Sequence, residues 1–331
     1  MHWDSPCQWL TRRITMHSYR MLLIILMTAF FAATNAYSSE TINFGTYTSD
    51  EFQNYWYSQG AEISRFKLQQ SRYGEIHDGD AVLVFVTEEL NRATQVKADR
   101  PGRQNVPVLK LNAVRKFFTG IYPYSIMTSI FAPINVREYP LPLKITSSTQ
   151  EWCGQVYTQM NLGDGEYRVR SHSYFEEEGD QNFNLKKHVP EDAIWTMIRL
   201  APQNLPRGDF FMIPGTVYSR LMHRALTPQK AVATLEPFDG KSLEGQSLVR
   251  YTIDFPKEQR SLRIVFEKDF PYRIQNWEDS HRGLRGMNSK ALTTRTTRTH
   301  TIMNAYWQHH GNKDRASLKK LGLAAREMGG N

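Results

Sequence analysis

The stretch Gln150–Asp180, QEWCGQVYTQMNLGDGEYRVRSHSYFEEEGD, is the part of the chain that most directly indicates the fold class. Two runs in which apolar and polar residues alternate flank the turn-forming residues Gly163–Gly165, a pattern typical of a β-hairpin. If the first two of these residues form the loop, Met160 lies opposite Tyr167. One face of the predicted hairpin is then mostly apolar, and we expect that face to pack on a core.

The other face of the predicted hairpin carries a polar and aromatic set, which is our candidate binding site: Tyr157, Arg168, Arg170 and His172. Two guanidinium groups and a phenol that line a concave surface can hold a carboxylate or an anionic headgroup. The same mixture is also ordinary on the solvent face of an antiparallel sheet. Both interpretations stay open, and no catalytic residue is assigned.

A single cysteine, Cys153, lies in the same hairpin and would remain after loss of an N-terminal segment that contains Cys7. A disulfide scaffold is therefore not expected. The predicted register places Cys153 opposite Tyr174, with His172 on the diagonal. That arrangement is not close enough to assign a nucleophile–base dyad, and a small buried residue is the commoner role of such a cysteine.

The N-terminal segment predicts export. Arginines at positions 12, 13 and 20 precede the apolar run Met21–Ala33, and small residues follow up to Ala36. This is the order of a secretory signal, and a run of 13 residues is short for a membrane span. We expect residues 1–36 to be a signal peptide, with Met16 as an alternative start and an uncleaved anchor as the alternative role. The mature protein is then periplasmic or secreted.

The net charge of +8 is unevenly distributed. Residues 281–331 hold ten Lys and Arg against two acidic residues, whereas residues 37–280 carry a net charge of −2. A nucleic-acid partner is therefore not expected for the body of the protein. Residues 311–331 predict a basic amphipathic helix, which either docks on the body through its leucines or makes a peripheral contact with an anionic membrane.

The rest of the chain predicts a mainly β fold, with one large curved antiparallel sheet or incomplete barrel and two or three short helices. The aromatic content of 12% supports sheet over helix bundle. A capping box at Thr48–Glu51 predicts a helix over 49–58, and Pro190 followed by two acidic residues predicts another over 190–200. The predicted strands of the β-rich domain, residues 37–310, are 62–73, 81–86, 94–98, 107–118, 124–131, 141–148, 217–226, 229–236, 249–255, 262–266, 272–277 and 292–303, with a turn at 77–80.

Motifs that would identify a reaction are absent from the sequence, which has no CxxC, HExxH, GxSxG, GxGxxG or Walker A pattern. The acidic run Glu176–Asp180 reads more as a solvated loop than as a cation site. His309 and His310 are adjacent, so their side chains diverge on a strand or helix. We therefore expect neither a metal nor a cofactor.

Five runs of this sequence resemble a family of exported bacterial proteins of unknown function, whose members often carry the label septum formation inhibitor Maf: Ser71–Glu89, Val106–Asn112, Phe117–Phe131, Gln150–Asn161 and Ser171–Phe183. The cytoplasmic Maf pyrophosphatases have an N-terminal Ser-x-Ser-Pro-Arg-Arg loop that is missing here, so the resemblance implies no catalytic residues. More weakly, the run Phe270–Ile274 and its meander look like the end of lipoprotein-carrier half-barrels. That resemblance implies a curved sheet around an apolar cavity, with the two predicted helices as lids.

Three functions follow as hypotheses. The first is a non-enzymatic exported protein that binds an apolar or amphiphilic ligand, such as a lipid, or supports the cell envelope. The second is a secreted hydrolase whose site uses His172, Cys153 or the acidic loop. The third is a structural partner in an envelope complex that docks through the basic tail. The sequence does not indicate an oligomeric state.

Overall fold

A computed structural model describes residues 42–240, 243, 247–283 and 290–323 of the chain. The predicted signal peptide lies outside these residues, as does the end of the predicted C-terminal helix. The described part contains sixteen strands and four short α-helices. The strands are β1 (Ala61–Arg72), β2 (Glu75–Asn91), β3 (Val96–Lys97), β4 (Asn105–Thr119), β5 (Tyr122–Pro133), β6 (Lys144–Glu151), β7 (Gly154–Leu162), β8 (Glu166–Ser173), β9 (Gln181–Lys186), β10 (Val189–Pro190), β11 (Gly208–Ile213), β12 (Gln229–Phe238), β13 (Leu248–Phe255), β14 (Arg260–Glu267), β15 (Ile274–His281) and β16 (Leu292–Asn304).

The helices are α1 (Ser49–Gln53), α2 (Ile194–Leu200), α3 (Thr216–Leu221) and α4 (Ala316–Lys320). A π-helical turn extends α1 through Ser58, and a 3₁₀ turn precedes α2. None of the helices in the described ranges has the length and apolar character needed to span a membrane.

All sixteen strands belong to one sheet. Its order is β10-β11-β12-β13-β14-β15-β16-β1-β2-β4-β5-β6-β7-β8-β9, with the short β3 paired to β2. The two end strands, β9 and β10, are consecutive in the chain and only Lys187 and His188 separate them. The sheet must therefore curve until its two edges nearly meet, but β9 and β10 do not pair. This confirms the predicted large curved sheet, an incomplete barrel with a lateral gap.

Antiparallel pairing assigns each connection to one end of the sheet. We call the end at which β1 is joined to β2 the upper end, and the opposite end the lower end. The connections β4–β5, β6–β7 and β8–β9 lie at the upper end, because the strands between them alternate in direction. Helix α3 also lies there, since the guanidinium of Arg72, the last residue of β1, donates to the carbonyl of Leu221.

The apolar face of the strands points into the curve. In β2, Ala81, Leu83 and Phe85 are buried in the main core, in keeping with the central position predicted for this run. The opposite face of β1 and β2 is covered by the C-terminal segment, whose Leu321 and Leu323 are buried in a second cluster. The leucines of the basic segment therefore pack on the sheet.

Helix α2 runs lengthwise through the interior. Near its start, Trp195 packs edge-on against Trp277 of β15 with ring centroids 5.1 Å apart. Near its end, Arg199 forms a two-pronged ion pair with Glu62 of β1, and both nitrogen–oxygen distances are 2.6 Å. The helix occupies the space that an empty barrel of this size would enclose.

Helix α1 closes the lower end. The predicted capping box is confirmed: Thr48 and Glu51 exchange side-chain and backbone hydrogen bonds. The helix buries Phe52 and, one turn later, Trp56, which packs near Phe85 with ring centroids 6.3 Å apart. The aromatic face that predicted this helix is thus the face that seals the core.

The register of the opening hairpin differs from the prediction by two residues. The turn is Asp164-Gly165, with Gly165 at φ +88°, and the amide of Gly163 donates to the carbonyl of Glu166 at 2.8 Å. Glycine is favoured where φ is positive, so Gly165 rather than Gly163 sets the turn. A shift of two residues keeps every side chain on its predicted face, and Met160 now lies opposite Val169.

Three other local predictions are wrong. The turn expected at 77–80 lies inside β2, and the chain reverses at Tyr73-Gly74, both at positive φ. The strand expected over 217–226 is helix α3, and Gln229–Phe238 pairs with β11 instead. The first strand of the hairpin is interrupted at Trp152 and Cys153, which form the tight turn between β6 and β7.

Candidate functional site

The lateral gap of the sheet opens into an apolar groove of about 530 Å³. Met197 and Ala201 of the α2 region form its floor. Phe210 and Phe211 of β11 form one wall, and Leu141 from the β5–β6 connection contributes to the other. The groove is therefore lined by both edges of the sheet and by the helix between them. It lies toward the lower end of the sheet.

The groove has the properties of a small-molecule site. Its volume is within the range of roughly 300–1,000 Å³ that is usual for ligand pockets. Phe211 is 47% exposed, so a large aromatic side chain faces solvent at the edge. An apolar ligand that covered this ring would bury area that the fold alone leaves in water.

At the groove, the positive charge comes from the link between β9 and β10. Lys187 is exposed, and it is the one charged residue among the groove-lining residues in the part of the chain that the structure describes. The backbone amide of Lys187 donates to the carbonyl of Gly165 at 3.0 Å, which anchors the link. The groove is thus apolar along its length and cationic at one point of its rim.

His188 follows Lys187 in the link and faces the aromatic wall. Its ring centroid is 5.7 Å from that of Phe211. Partial burial, together with the nearby Lys186 ammonium, lowers the pKa of His188 below its ordinary value. At neutral pH the imidazole is therefore mostly uncharged, and it contributes a hydrogen-bonding group rather than a second cation.

The centre of the barrel is not a second ligand cavity. The space beside α2 amounts to about 40 Å³, which is enough for a few water molecules. Its walls are charged. The guanidinium of Arg260 donates two hydrogen bonds to the carboxylate of Glu191, at 2.6 and 2.7 Å, and two to that of Asp279, at 2.7 and 2.8 Å. The apolar interior that the half-barrel resemblance implied is filled by the helix and by these ion pairs.

Asp192 stands beside this network and holds helix α3. One carboxylate oxygen accepts from the backbone amide of Thr216 at 3.0 Å, and the other from its hydroxyl at 3.2 Å. Burial, with the adjacent Glu191 charge, raises the pKa of Asp192 to about 7. We assign it a structural role, because its partners are the first groups of α3 and the space around it admits only water.

The sequence-predicted site residues all lie on the outer, convex face of the sheet. Tyr157 is directly opposite His172, while Arg168 and Arg170 follow along β8. The three residues of β8 are exposed, and Tyr157 is half-buried. The face is therefore formed as predicted, but it does not line the interior. Its capacity to bind an anion stays a prediction.

These residues make modest contacts among themselves. The hydroxyl of Tyr157 donates to Gln159 at 2.8 Å, and His172 lies 3.3 Å from Asp180. Arg168 also lines a surface depression that Lys187 shares. Lys187 therefore lines both the groove and this depression. Of the four predicted residues, Arg168 alone lines the depression.

Cys153 has an environment that disfavours a nucleophile. It is an exposed free thiol in the β6–β7 turn. The carboxylate of Glu151 accepts its hydrogen bond and raises the pKa of Cys153, so less thiolate is present. In the acidic loop, Glu178 is engaged by His223 at 2.6 Å and by Ser173 at 2.6 Å. Within the described ranges, no group of three or more His, Cys, Asp or Glu is arranged to hold a metal ion.

The groove was missed at the sequence level because its residues come from distant parts of the chain. The run Phe210–Ile213 was the available signal, since four apolar residues between prolines are typical of a strand. The prolines at 202, 206 and 214 predicted extended or turn geometry for this segment, so no strand was assigned there. Even with β11 assigned, its position opposite β9 depends on the curvature of the whole sheet.

No protein-family model matches this chain, and the curated proteins contain no match to it. Among solved structures, the chain is similar to the crystal structure of a β-barrel-like protein of a domain of unknown function, DUF1849, from Brucella abortus. The two chains share 9% sequence identity with a TM-score of 0.42, and the match covers 74% of this chain and 97% of the other. The function must therefore be inferred from the geometry of this chain itself.

Proposed function

We propose that this protein is a non-enzymatic, exported binder of an anionic amphiphile, with the apolar chain in the lateral groove and the anionic headgroup at Lys187. The observation that carries the proposal is the groove itself: about 530 Å³ of apolar surface with a cation at one point of the rim. A ligand with one apolar and one anionic end matches that distribution.

The chemistry available at the groove supports binding over catalysis. General acid–base or nucleophilic chemistry needs paired titratable groups within hydrogen-bond reach. Among the described residues, the titratable groups that line the groove are one lysine and one mostly neutral histidine, beside Asn204 and aromatic and aliphatic side chains. The hydrolase hypothesis is further weakened by the carboxylate of Glu151, which raises the pKa of the Cys153 thiol.

Export is part of the proposal and is supported by the order of residues in the leader segment, three arginines, an apolar run and small residues up to Ala36. Sequencing the N-terminus of the protein from a periplasmic fraction tests it. We expect the mature chain to begin close to Tyr37. A mature chain that begins at Met1 or Met16 in the cytoplasm would contradict export.

Binding is tested with dansyl-labelled undecanoic acid and with its uncharged methyl ester. Both probes should gain fluorescence on binding. Phe211→Glu places a charge in the apolar wall and should weaken both probes by about tenfold or more. Lys187→Ala should weaken the acid by about two- to fivefold, as for an exposed ion pair, and leave the ester unchanged.

The matched control is Lys116→Ala, an exposed lysine near the upper end, which should alter neither affinity. Failure of both probes to bind, or equal binding by Phe211→Glu, would show that the groove is not the site. Native mass spectrometry of the purified protein then identifies any amphiphile that the cell has already supplied.

A further inference from the structure

Large apolar side chains are exposed together at the upper end of the sheet. Phe118, near the end of β4, is 60% exposed, and Ile121 of the β4–β5 connection is 82% exposed; Trp152 of the β6–β7 turn is 69% exposed, and Tyr174 of the β8–β9 loop is 68% exposed. We call these four residues the upper-end patch. They come from three successive pairs of strands, β4–β5, β6–β7 and β8–β9, so the patch is a property of the folded sheet.

Contacts between the connections hold the patch together. Tyr122, next to Ile121, stacks on Trp152 with ring centroids 6.3 Å apart and planes 27° apart. The ring of Tyr174 lies against Gly154, where a Cβ atom would come within 2.5 Å of the ring. Each connection therefore touches its neighbour along the upper end of the sheet.

The layer beneath the patch is closely packed and hydrogen-bonded. Phe117 and Tyr124 stack with planes 4° apart, and the hydroxyls of Tyr73 and Tyr124 are 2.8 Å apart. The buried guanidinium of Arg72 donates to Tyr73 at 3.1 Å and also reaches helix α3. The strand ends that carry the exposed side chains are thus well anchored, so less backbone has to be ordered on binding.

We infer that the upper-end patch inserts into the interface of a phospholipid bilayer whose headgroups are zwitterionic. Tryptophan and tyrosine have an apolar body and a polar tip, which is the combination enriched at membrane interfaces. Turn tips at one end of a sheet reach a planar surface simultaneously, and Ile121 and Phe118 supply the apolar part that enters the acyl boundary.

The charge beside the patch selects the kind of lipid. Glu176 and Glu177 follow Tyr174 in the same loop, and both are exposed; they outnumber Lys116, the exposed lysine two residues before Phe118. These carboxylates repel an anionic surface and attract the ammonium of an ethanolamine headgroup. The contact is therefore distinct from an electrostatic attachment through the basic C-terminal segment, and it leaves the groove, toward the lower end, open to solvent.

Flotation with lipid vesicles tests the inference. The protein should float with vesicles of phosphatidylcholine and phosphatidylethanolamine, and replacing the ethanolamine lipid by phosphatidylglycerol should reduce the bound fraction. The double variant Ile121→Ser with Trp152→Ser should lower the partition constant by about tenfold or more, since two large apolar side chains are removed from the interface. Both residues are largely exposed, so the variant should stay folded, and loss of the Tyr122–Trp152 stack should lower its unfolding temperature by about 2–4 °C at most.

Trp307→Ser is the matched control, because Trp307 is 49% exposed but follows β16 at the lower end. It should float like the parent. Lipids brominated near the headgroup should quench the emission of Trp152, and Trp152→Ser should remove the quenched component while Trp307→Ser keeps it. These readouts do not depend on a ligand in the groove.

Three outcomes would overturn the inference: no flotation with ethanolamine vesicles, equal loss of flotation in Trp307→Ser, or tighter binding to phosphatidylglycerol vesicles. Sedimentation of the protein without lipid adds a fourth. A dimer that the double serine variant dissociates would show that a second copy, and not a bilayer, covers the patch.

Discussion

The ion pair between Glu62 and Arg199 predicts a measurable coupling between helix α2 and the sheet. Both side chains are almost fully buried, at 1% and 0% exposure. The guanidinium also donates to the carbonyl of Pro271 at 2.9 Å and lies over the ring of Phe85 at 4.5 Å. Replacing Arg199 by Met keeps most of the apolar volume but leaves the carboxylate of Glu62 without its principal partner.

The expected cost follows from the environment of the pair. Removing one partner of a buried ion pair costs about 3–5 kcal/mol, because a desolvated charge stays behind. Replacing both partners by apolar residues costs far less, since neither charge then needs compensation. Arg199→Met and Glu62→Leu should therefore each lower the free energy of unfolding by about 3–5 kcal/mol, and the double variant should recover about 3 kcal/mol or more of their sum.

The pH dependence gives a second test of the same reasoning. Burial favours the neutral form of Glu62, but the charge and hydrogen bonds of Arg199 hold its pKa below the ordinary value. The stabilisation by this carboxylate is then complete above its unfolded pKa and is lost as the pH falls through the lower folded value. In Arg199→Met burial prevails and raises the pKa of Glu62, so the deficit should shrink at pH 4.5 relative to pH 7.5.

The assay is urea unfolding followed by far-ultraviolet circular dichroism for the parent, both single variants and the double variant at the two pH values. Strictly additive effects, with the double variant as unstable as the sum of the singles, would show that Arg199 does not compensate Glu62. A deficit in Arg199→Met that is equal at both pH values would show that the carboxylate is not left buried and charged.

Three further predictions concern other parts of the barrel. Because the pKa of Asp192 is raised to about 7, its contribution to stability is complete below the unfolded pKa and is lost as the pH rises toward 7. In urea titrations, Asp192→Asn should therefore reduce the fall in unfolding free energy between pH 5 and pH 8. An unchanged pH dependence would contradict this. Gly79→Ala should destabilise by about 1–3 kcal/mol, since a Cβ there lies 2.3 Å from a carbonyl of β4, whereas Gly102→Ala, with its nearest contact at 3.6 Å, should be nearly neutral in thermal unfolding. Cys153 should react slowly with a disulfide reagent at pH 7, and Glu151→Gln should shift its rate profile to lower pH; an unshifted profile would exclude the carboxylate as the cause.

Local signals were sufficient where the stabilising groups are close in sequence. The capping box at Thr48 and Glu51 predicted α1, and Pro190 followed by acidic residues predicted the start of the segment that contains α2. Strand alternation likewise placed most of the sheet. In each case the pattern reflects a local backbone preference or a buried face, and the folded protein retains it.

Prediction was wrong where a distant group decides the local structure. Helix α3 begins where it does because Asp192, 24 residues earlier, accepts hydrogen bonds from Thr216. Gly79 resembled a turn residue, but its role is to let β2 approach β4 closely. The face that carries Arg168, Arg170 and His172 was correct, yet whether it lies inside or outside the curve depends on the whole sheet.

The lateral groove follows from how the sheet ends. Strand β10 has two residues, and one of them, Pro190, has no amide hydrogen to donate to a further strand. The edge next to β11 is therefore blunted, and β9 cannot complete the barrel against it. Helix α2 fills the interior, so the space left by the unpaired edges is an apolar groove lined by Met197 and Ala201 of the α2 region. Restoring pairing, for example with Pro190→Val, should narrow the groove and weaken both dansyl probes, which would connect the incomplete closure of the sheet directly to ligand binding.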